Sequence, residues 1–371
     1  MPAPIRVLML SKACIVGIYQ RKLEQIAEHN IDLLTLVPPS WRDERGETPL
    51  ERVYTNGYRL ETLPIRLNGN FHLHHYAQLG ASIREFKPDI IHIDEEPYNL
   101  VAWQLLFHAK RIKAKTLFFS WQNINRSYPP PFSWGERWVM RAIDHAIVGT
   151  ASAGDVWREK GYTGSLSVIP QFGTDPDLFM PLKKRPERPF TIGFVGRLVE
   201  EKGIQVLLNA LAQLEQQHWK LKIYGGGPYE SQLRDLAQSL QIADRVQFCG
   251  QVPSAQMPQI YHQFDAFVLP SLTRHNWKEQ FGRVLVEAMA SGVPVIGSDS
   301  GAIPDVIDDA GIVTPEGDPQ ALSQAITQLQ TDSAMHAHFA MLGREHILEH
   351  FTHAQIAQKT VDVYRHLMNQ S

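Results

Sequence analysis

Lys278-Glu279-Gln280-Phe281-Gly282-Arg283-Val284-Leu285-Val286-Glu287-Ala288-Met289-Ala290-Ser291-Gly292-Val293-Pro294-Val295-Ile296 follows a strand-like run ending at Leu269-Pro270-Ser271. A helix begins near Gly282 and stops at Gly292, and a new strand enters at Val293, so the stretch is one unit of a strand–helix–strand alternation. The same alternation extends upstream through Phe190–Val195, Trp219–Tyr224, Arg245–Cys249 and Asp265–Leu269, with helical segments such as 204–217 and 229–241 between, and closes at Val293–Ser298. An earlier series runs through Ile5–Leu10, Ile31–Val37, Asp89–Ile93, Lys115–Phe119, His145–Val148 and Leu166–Ile169. Between the two series, Pro170 to Asp177 and Pro181 to Pro189 carry prolines that neither a helix nor a central strand tolerates. The expected fold is α/β, with two doubly wound Rossmann-like domains facing a central cleft. They span residues 1–171 and 172–350. A last amphipathic helix over 351–371, striped by Ile356, Val361, Tyr364 and Leu367, is expected to cross back to the first domain.

Composition narrows the function. A chain of 371 residues, 43% apolar and 20% charged, has core-forming material for two domains. Its 36 basic and 39 acidic residues give a net charge of −3, so no global field draws a nucleic acid or an anionic membrane. Cys14 and Cys249, the only cysteines, sit in strand-like runs, which argues against a disulfide framework or a cysteine metal site and fits a reducing cytosol. Ile5–Leu10 is too short for a signal segment, and no apolar run reaches the ~18 residues of a membrane span. A soluble cytoplasmic protein is expected, able to touch the inner face of a membrane peripherally.

Ligands of open α/β sheets bind beyond the carboxyl ends of the strands, which places a site in the loop from Ser271 to Gly282. Two carboxylates fall there, Glu279 in the loop and Glu287 in the first two turns of the helix. A carboxylate accepts two hydroxyl hydrogen bonds and so suits the vicinal diols of sugars and ribose. The amides of Phe281 and Gly282 at the helix start are placed to meet ligand oxygens. A second constellation is Gly193-Phe194-Val195-Gly196-Arg197-Leu198-Val199-Glu200-Glu201-Lys202-Gly203. Gly196 lets the backbone turn after the strand, and Arg197 and Lys202 bracket the loop that enters the helix from Ile204. Two such cations form a pyrophosphate clamp and stabilise the charge that grows on a leaving diphosphate. Taken alone, the same residues also read as a solvated basic loop paired with Glu200 and Glu201.

Glu279 and Glu287 with seven residues between them, Gly196-Arg197 to Lys202-Gly203, and Tyr224-Gly225-Gly226-Gly227-Pro228 together resemble the retaining family-four glycosyltransferases of GT-B fold. The resemblance is clear over residues 190–315 and weaker elsewhere. It implies an acceptor-binding first domain and a second domain that holds a nucleotide-diphosphate-sugar donor. By that likeness Glu287 holds the ribose, Glu279 the donor sugar, and Arg197 and Lys202 the diphosphate, with no metal and no cofactor besides the co-substrate. Gly225 and Gly226 cap a strand near the nucleotide, and Gln251 and Val252 lie where backbone meets the base. The first loop of the family is glycine-rich, whereas Ser11-Lys12-Ala13-Cys14-Ile15-Val16-Gly17 supplies Gly17 alone. Many members place a histidine after the strand that here ends at Phe119. This chain has Ser120-Trp121-Gln122-Asn123, so Gln122 and Asn123 are candidate replacements on the acceptor or donor-phosphate side, and His145 reads as structural.

Other features admit a plainer reading. Asp94-Glu95-Glu96 points at an acceptor or is a solvated strand end. His72, His74 and His75 lack partners at ligand spacing for a metal. Asp175-Pro176-Asp177 spells an Asp-x-Asp pattern, but within the proline-rich linker. Tyr128-Pro129-Pro130-Pro131-Phe132 reads as a rigid loop before a helix. On that helix Trp134, Arg137, Trp138 and Arg141 suit weak contact with an anionic membrane or an ordinary surface. The competing classes are a non-catalytic GT-B protein binding a nucleotide-sugar or glycan, which would be expected to lack the Glu and cation set, a pyridoxal-dependent phosphorylase, for which the chain is short, and a nicotinamide oxidoreductase, for which the first loop lacks Gly-x-Gly-x-x-Gly.

Overall fold

The computed structural model describes residues 3–43, 46–183, 187–214 and 218–369. Lys184, Arg185 and Pro186 of the linker, the end of the helix expected over 204–217, and Gln370 and Ser371 lie outside the described residues. The chain forms two compact units, one running to Gly173 and taking in the chain from His353 onward, the other Thr174–Thr352.

In the first unit β1 (Ile5–Leu10), β2 (Ile31–Val37), the antiparallel pair β3 (Ser40–Asp43) and β4 (Gly46–Pro49), β5 (Arg59–Thr62), the short pair β6 (Ile65–Arg66) and β7 (His75–Tyr76), β8 (Ile90–Ile93), β9 (Lys115–Ser120), β10 (His145–Val148) and β11 (Ser165–Val168) follow one another. Seven of them make a wholly parallel sheet in the order β11-β10-β9-β8-β1-β2-β5. Helices α1 (Arg21–Ala27), α2 (Leu79–Phe86), α3 (Leu100–Ile112), α4 (Phe132–Ala142) and α5 (Ala151–Glu159) supply the crossovers. Alternate residues of each strand feed opposite faces, as a sheet covered on both sides requires. Leu8, Leu10, Ile91, Ile93, Phe118 and Val148 enter one core, and Val7, Met9, Ile90, Leu117, Phe119 and Ile147 the other.

The second unit has β12 (Phe190–Val195), β13 (Trp219–Tyr224), β14 (Val246–Gly250), β15 (Ala266–Leu269), β16 (Val295–Ser298) and β17 (Ile312–Thr314). These form a parallel sheet in the order β14-β13-β12-β15-β16-β17. Its helices are α6 (Ile204–Ala212), α7 (Glu230–Ser239), α8 (Met257–Tyr261), α9 (Arg283–Ala290), α10 (Ile303–Ile307), α11 (Pro319–Thr331) and α12 (Ser333–His350). Asp318 caps α11, its carboxylate accepting from the amides of Gln320 and Ala321, with Pro319 at the first helical position, where its missing N–H costs nothing. The final helix α13 (His353–Asn369) returns to the first unit, where Ile356, Val361, Tyr364 and Leu367 complete the core that Met9 and Ile147 begin. Its Tyr364 hydroxyl meets His92 Nδ1 at 2.7 Å.

Candidate functional site

In the second unit, the strand order reverses between β12 and β15. The chain leaves β12 toward one side of the sheet and β15 toward the other, so a crevice opens where their carboxyl ends part. Both sequence constellations end there. Gly203, at φ +69°, lets the loop after β12 press against the end of β15, where an added Cβ would stand 1.8 Å from the carbonyl oxygen of Pro270. Leu272 N–H donates to the carbonyl of Glu201 at 2.7 Å and ties the two loops. On the other flank Gly225, at φ +139°, is equally close to the carbonyl of Gly196. The amide of Gly196 bonds to Tyr224 and that of Leu198 to Gly226, each at 3.0 Å. The Gly225 amide bonds to Gly250 at 2.8 Å, next to Gln251 and Val252.

Lys202 does not pair with Glu200 or Glu201. Its Nζ lies 2.6 Å from Glu279 Oε2 and 5.0 Å from the ring centre of Trp277. Ser271 Oγ donates to the same Glu279 oxygen at 2.9 Å, and the glutamate is 8% exposed. The amide of Ala302 donates to the Glu279 carbonyl at 3.1 Å. Glu200 instead takes Arg274, at 2.8 Å. Arg197 is exposed and has no ion pair among the described residues, which leaves its guanidinium available to a ligand anion.

Glu287 occupies a separate pocket in the packing. Tyr261 at the end of α8 donates its hydroxyl to Oε2 at 2.8 Å, and Arg283, one turn earlier on α9, reaches Oε1 at 3.1 Å. Burial raises its pKa, while Arg283 and the Tyr261 hydroxyl pull it back. Phe281 is buried against Phe351, ring centres 5.8 Å apart, and Gly282 caps α9 at φ +76°. Tyr261 and Gly301 went unread in the sequence, and Ser271 was read only as the start of the site loop. Arg283 carried a signal, since it sits four residues before Glu287 on one helix.

The first unit has its own reversal point, between β1 and β8. There Ser11 Oγ donates to Asp94, and Lys12 Nζ binds Glu95. Burial pushes the Glu95 carboxyl up, but Lys12 and His74 outweigh it and hold the pKa down at about 2. Glu96 accepts from Ser120 Oγ at 2.6 Å and the Trp121 amide at 2.8 Å, yet burial lifts its pKa to about 7. The three carboxylates are therefore a partnered, enclosed set and not a solvated strand end. Gly17 gives its amide to Glu51 Oε2 at 2.6 Å. Gln122 and Asn123 are buried, and Gln122 Oε1 accepts from Lys160 Nζ at 3.2 Å. His145 is buried within β10, bonded to Ser167 Oγ at 3.0 Å. Among the described residues no three His, Cys, Asp or Glu side chains group as a metal site. Asp175 accepts from the Asp177 amide at 3.0 Å, a local turn.

Two Rossmann-like units, with a lysine–glutamate pair and a helix-borne glutamate at the reversal point of the second, make up a GT-B architecture. Residues 178–346 match the glycosyl transferases group 1 and residues 21–176 match glycosyltransferase family 4. Over 221 residues it is 33% identical to a GDP-mannose-dependent alpha-(1-6)-phosphatidylinositol monomannoside mannosyltransferase of Mycobacterium tuberculosis, 55% of this chain and 57% of that one. The chain spans about half the length of the curated relatives it matches. The fold matches sucrose-phosphate synthase from Thermosynechococcus elongatus with a TM-score of 0.73 at 22% identity, over 99% of this chain and 100% of that one. It matches Anabaena HepE, solved in complex with UDP and glucose, with a TM-score of 0.71 at 17% identity, over 97% and 99%. No helix among the described residues is long and apolar enough to cross a membrane.

Proposed function

We propose that the chain transfers a sugar from a nucleotide-diphosphate-sugar to a hydroxyl acceptor, with retention of configuration and without a metal, in the synthesis of a cell-surface polysaccharide, a glycolipid or a glycoside. The observation that carries the reading is the Lys202–Glu279 pair at the β12–β15 reversal point, with Arg197, exposed and in no ion pair among the described residues, on the same loop after β12. In this reading the donor diphosphate lies across Arg197 and Lys202, whose charges stabilise it as the bond from the anomeric carbon to the phosphate oxygen breaks. Glu279, tied down by Ser271, faces the ring on which positive charge develops. Glu287 accepts from the ribose diol. The acceptor oxygen bonds the anomeric carbon on the face the diphosphate leaves, and its proton passes to that diphosphate, so no protein base is needed. A nucleotide-sugar donor also agrees with the complex of HepE with UDP and glucose.

Calorimetry with nucleoside diphosphates, followed by NMR of the product's anomeric centre, tests this directly. The expected results are micromolar-class nucleotide binding that weakens roughly ten- to a hundred-fold in Arg197→Ala, a product with the donor's configuration, and turnover that persists in excess chelator. An inverted product removes the retaining mechanism, and loss of turnover with chelator that magnesium restores removes metal independence. Nucleotide binding without transfer to any hydroxyl acceptor would point to a non-catalytic binding protein.

A further inference from the structure

Helix α4 turns its small and acidic residues inward. An added Cβ at Gly135 would stand 1.9 Å from the Trp103 ring of α3, Val139 is fully buried, and Glu136 is held by Lys160 Nζ at 2.5 Å. Facing outward are Trp134, Arg137, Trp138 and Arg141, whose spacing of three, four and seven puts them on one face. Trp134 is 61% exposed, Trp138 40%, and both arginines are exposed, with no ion pair among the described residues. The adjoining helix α3 contains no carboxylate. Its last turns expose Phe107 and Ile112 beside Lys110 and Arg111, and the Arg111 guanidinium lies 4.2 Å from the centre of the Phe107 ring.

Two indoles left in water forgo burial that a free-standing surface has no reason to forgo. Indoles are suited to the headgroup depth of a bilayer, and arginine pairs with phosphate through its planar fork while its stem lies along apolar surface. The only carboxylate on either helix is turned inside, so the outward face is uniformly basic although the chain as a whole carries a net charge of −3. We infer that the α3–α4 face of the first unit seats on an anionic lipid surface, with the indoles at headgroup depth and the arginines on lipid phosphates. The contact does not depend on the transfer reaction. It has the form of an interfacial helix, strengthened by negative lipid and screened by salt.

Co-sedimentation of the full chain with vesicles of phosphatidylcholine alone, or with a third phosphatidylglycerol, tests it. Binding is expected with the anionic vesicles only, and it should fall as salt rises. Arg137→Gln with Arg141→Gln should weaken it about five-fold per charge removed. Trp134→Ala with Trp138→Ala should weaken it at every salt concentration, and both variants should keep the wild-type melting temperature and nucleotide affinity. Equal binding to both vesicle types, no binding, or full binding by both variants would overturn the inference. So would a wild-type dimer in light scattering that the tryptophan variant turns into a monomer, since a second copy would then cover this face.

Discussion

The ammonium of Lys202 and the carboxylate of Glu279 are 2.6 Å apart and mostly out of solvent, so the cation expected to hold the diphosphate and the acid expected to face the sugar neutralise one another in the free protein. Donor binding must share or break that pair. Lys202→Met should leave an uncompensated buried carboxylate, and its cost should exceed that of Lys202→Met combined with Glu279→Gln. Breaking a partly buried pair costs about 1–3 kcal/mol more than removing both partners. Chemical denaturation of the two single variants and the double variant measures the coupling, and additive effects would show that the pair contributes nothing to the fold.

Glu287 sets stability against affinity. Because burial raises its pKa, the folded state binds the proton more tightly than the unfolded chain. The fold therefore loses stability as pH rises from the ordinary carboxyl value of 4.5 to the raised one, and the full cost stands above it. Glu287→Gln keeps an acceptor for Tyr261 and removes the charge. The variant should melt no lower than wild type at pH 8 while binding the donor roughly ten- to a hundred-fold more weakly, the range for one charge-assisted bond of ~1.5–3 kcal/mol. A lower melting temperature together with unchanged donor affinity would place Glu287 in the scaffold alone.

Gly301 positions Glu279 through close backbone packing. It sits at φ +58°, and an added Cβ would stand 2.1 Å from the Glu279 carbonyl oxygen. Gly301→Ala should shift that backbone, cost about 1 kcal/mol or more for the left-handed conformation, and lower kcat with little change in donor affinity. Wild-type kcat in a folded Gly301→Ala protein would show that the Glu279 backbone tolerates displacement.

Glu96 should shape the pH dependence of stability. Its pKa rises from 4.5 to about 7, so its folded state takes up a proton that the unfolded chain releases. Stability should fall as pH climbs through that window, by at most about 1.4 kcal/mol per pH unit for one proton, and level off above it. Glu96→Gln should flatten the profile, matching wild type at pH 4 and exceeding it at pH 8. Parallel profiles for the two proteins would assign the slope elsewhere.

Most of the two sheets was legible because their central strands are buried on both faces and read as continuous apolar runs. The edges were not. In β5, Arg59 and Glu61 face solvent and only Leu60 is buried, and β17 is three residues between Gly311 and Pro315, so neither presents a run. The second unit's site was legible where one loop carried the chemistry, as in Arg197 with Lys202 and Glu279 with Glu287. Contacts made by folding were not. Tyr261 reaches Glu287 across 26 residues and Lys202 reaches Glu279 across 77, separations at which spacing carries no information. In the first unit the Asp94-Glu95-Glu96 run was visible, but the partners that enclose it come from the loop after β1, from β9 and from Trp121.

The return of α13 to the first unit gives this chain an order of events during synthesis. The ribosome delivers Met9, Leu23 and Ile147 long before Ile356, Tyr364 and Leu367, yet all belong to one core. As a result, the core on that face of the sheet, which α1 covers in part, lacks its last helix while the whole of Thr174–Thr352 is being made. The second unit, contiguous in sequence, has all its residues once Thr352 is made, whereas the first gains its last helix only with the final residues. The usual N-terminal-first order of domain folding therefore cannot complete the first unit before the second is synthesised, and the apolar surface around Met9 and Ile147 waits for α13 in the interval.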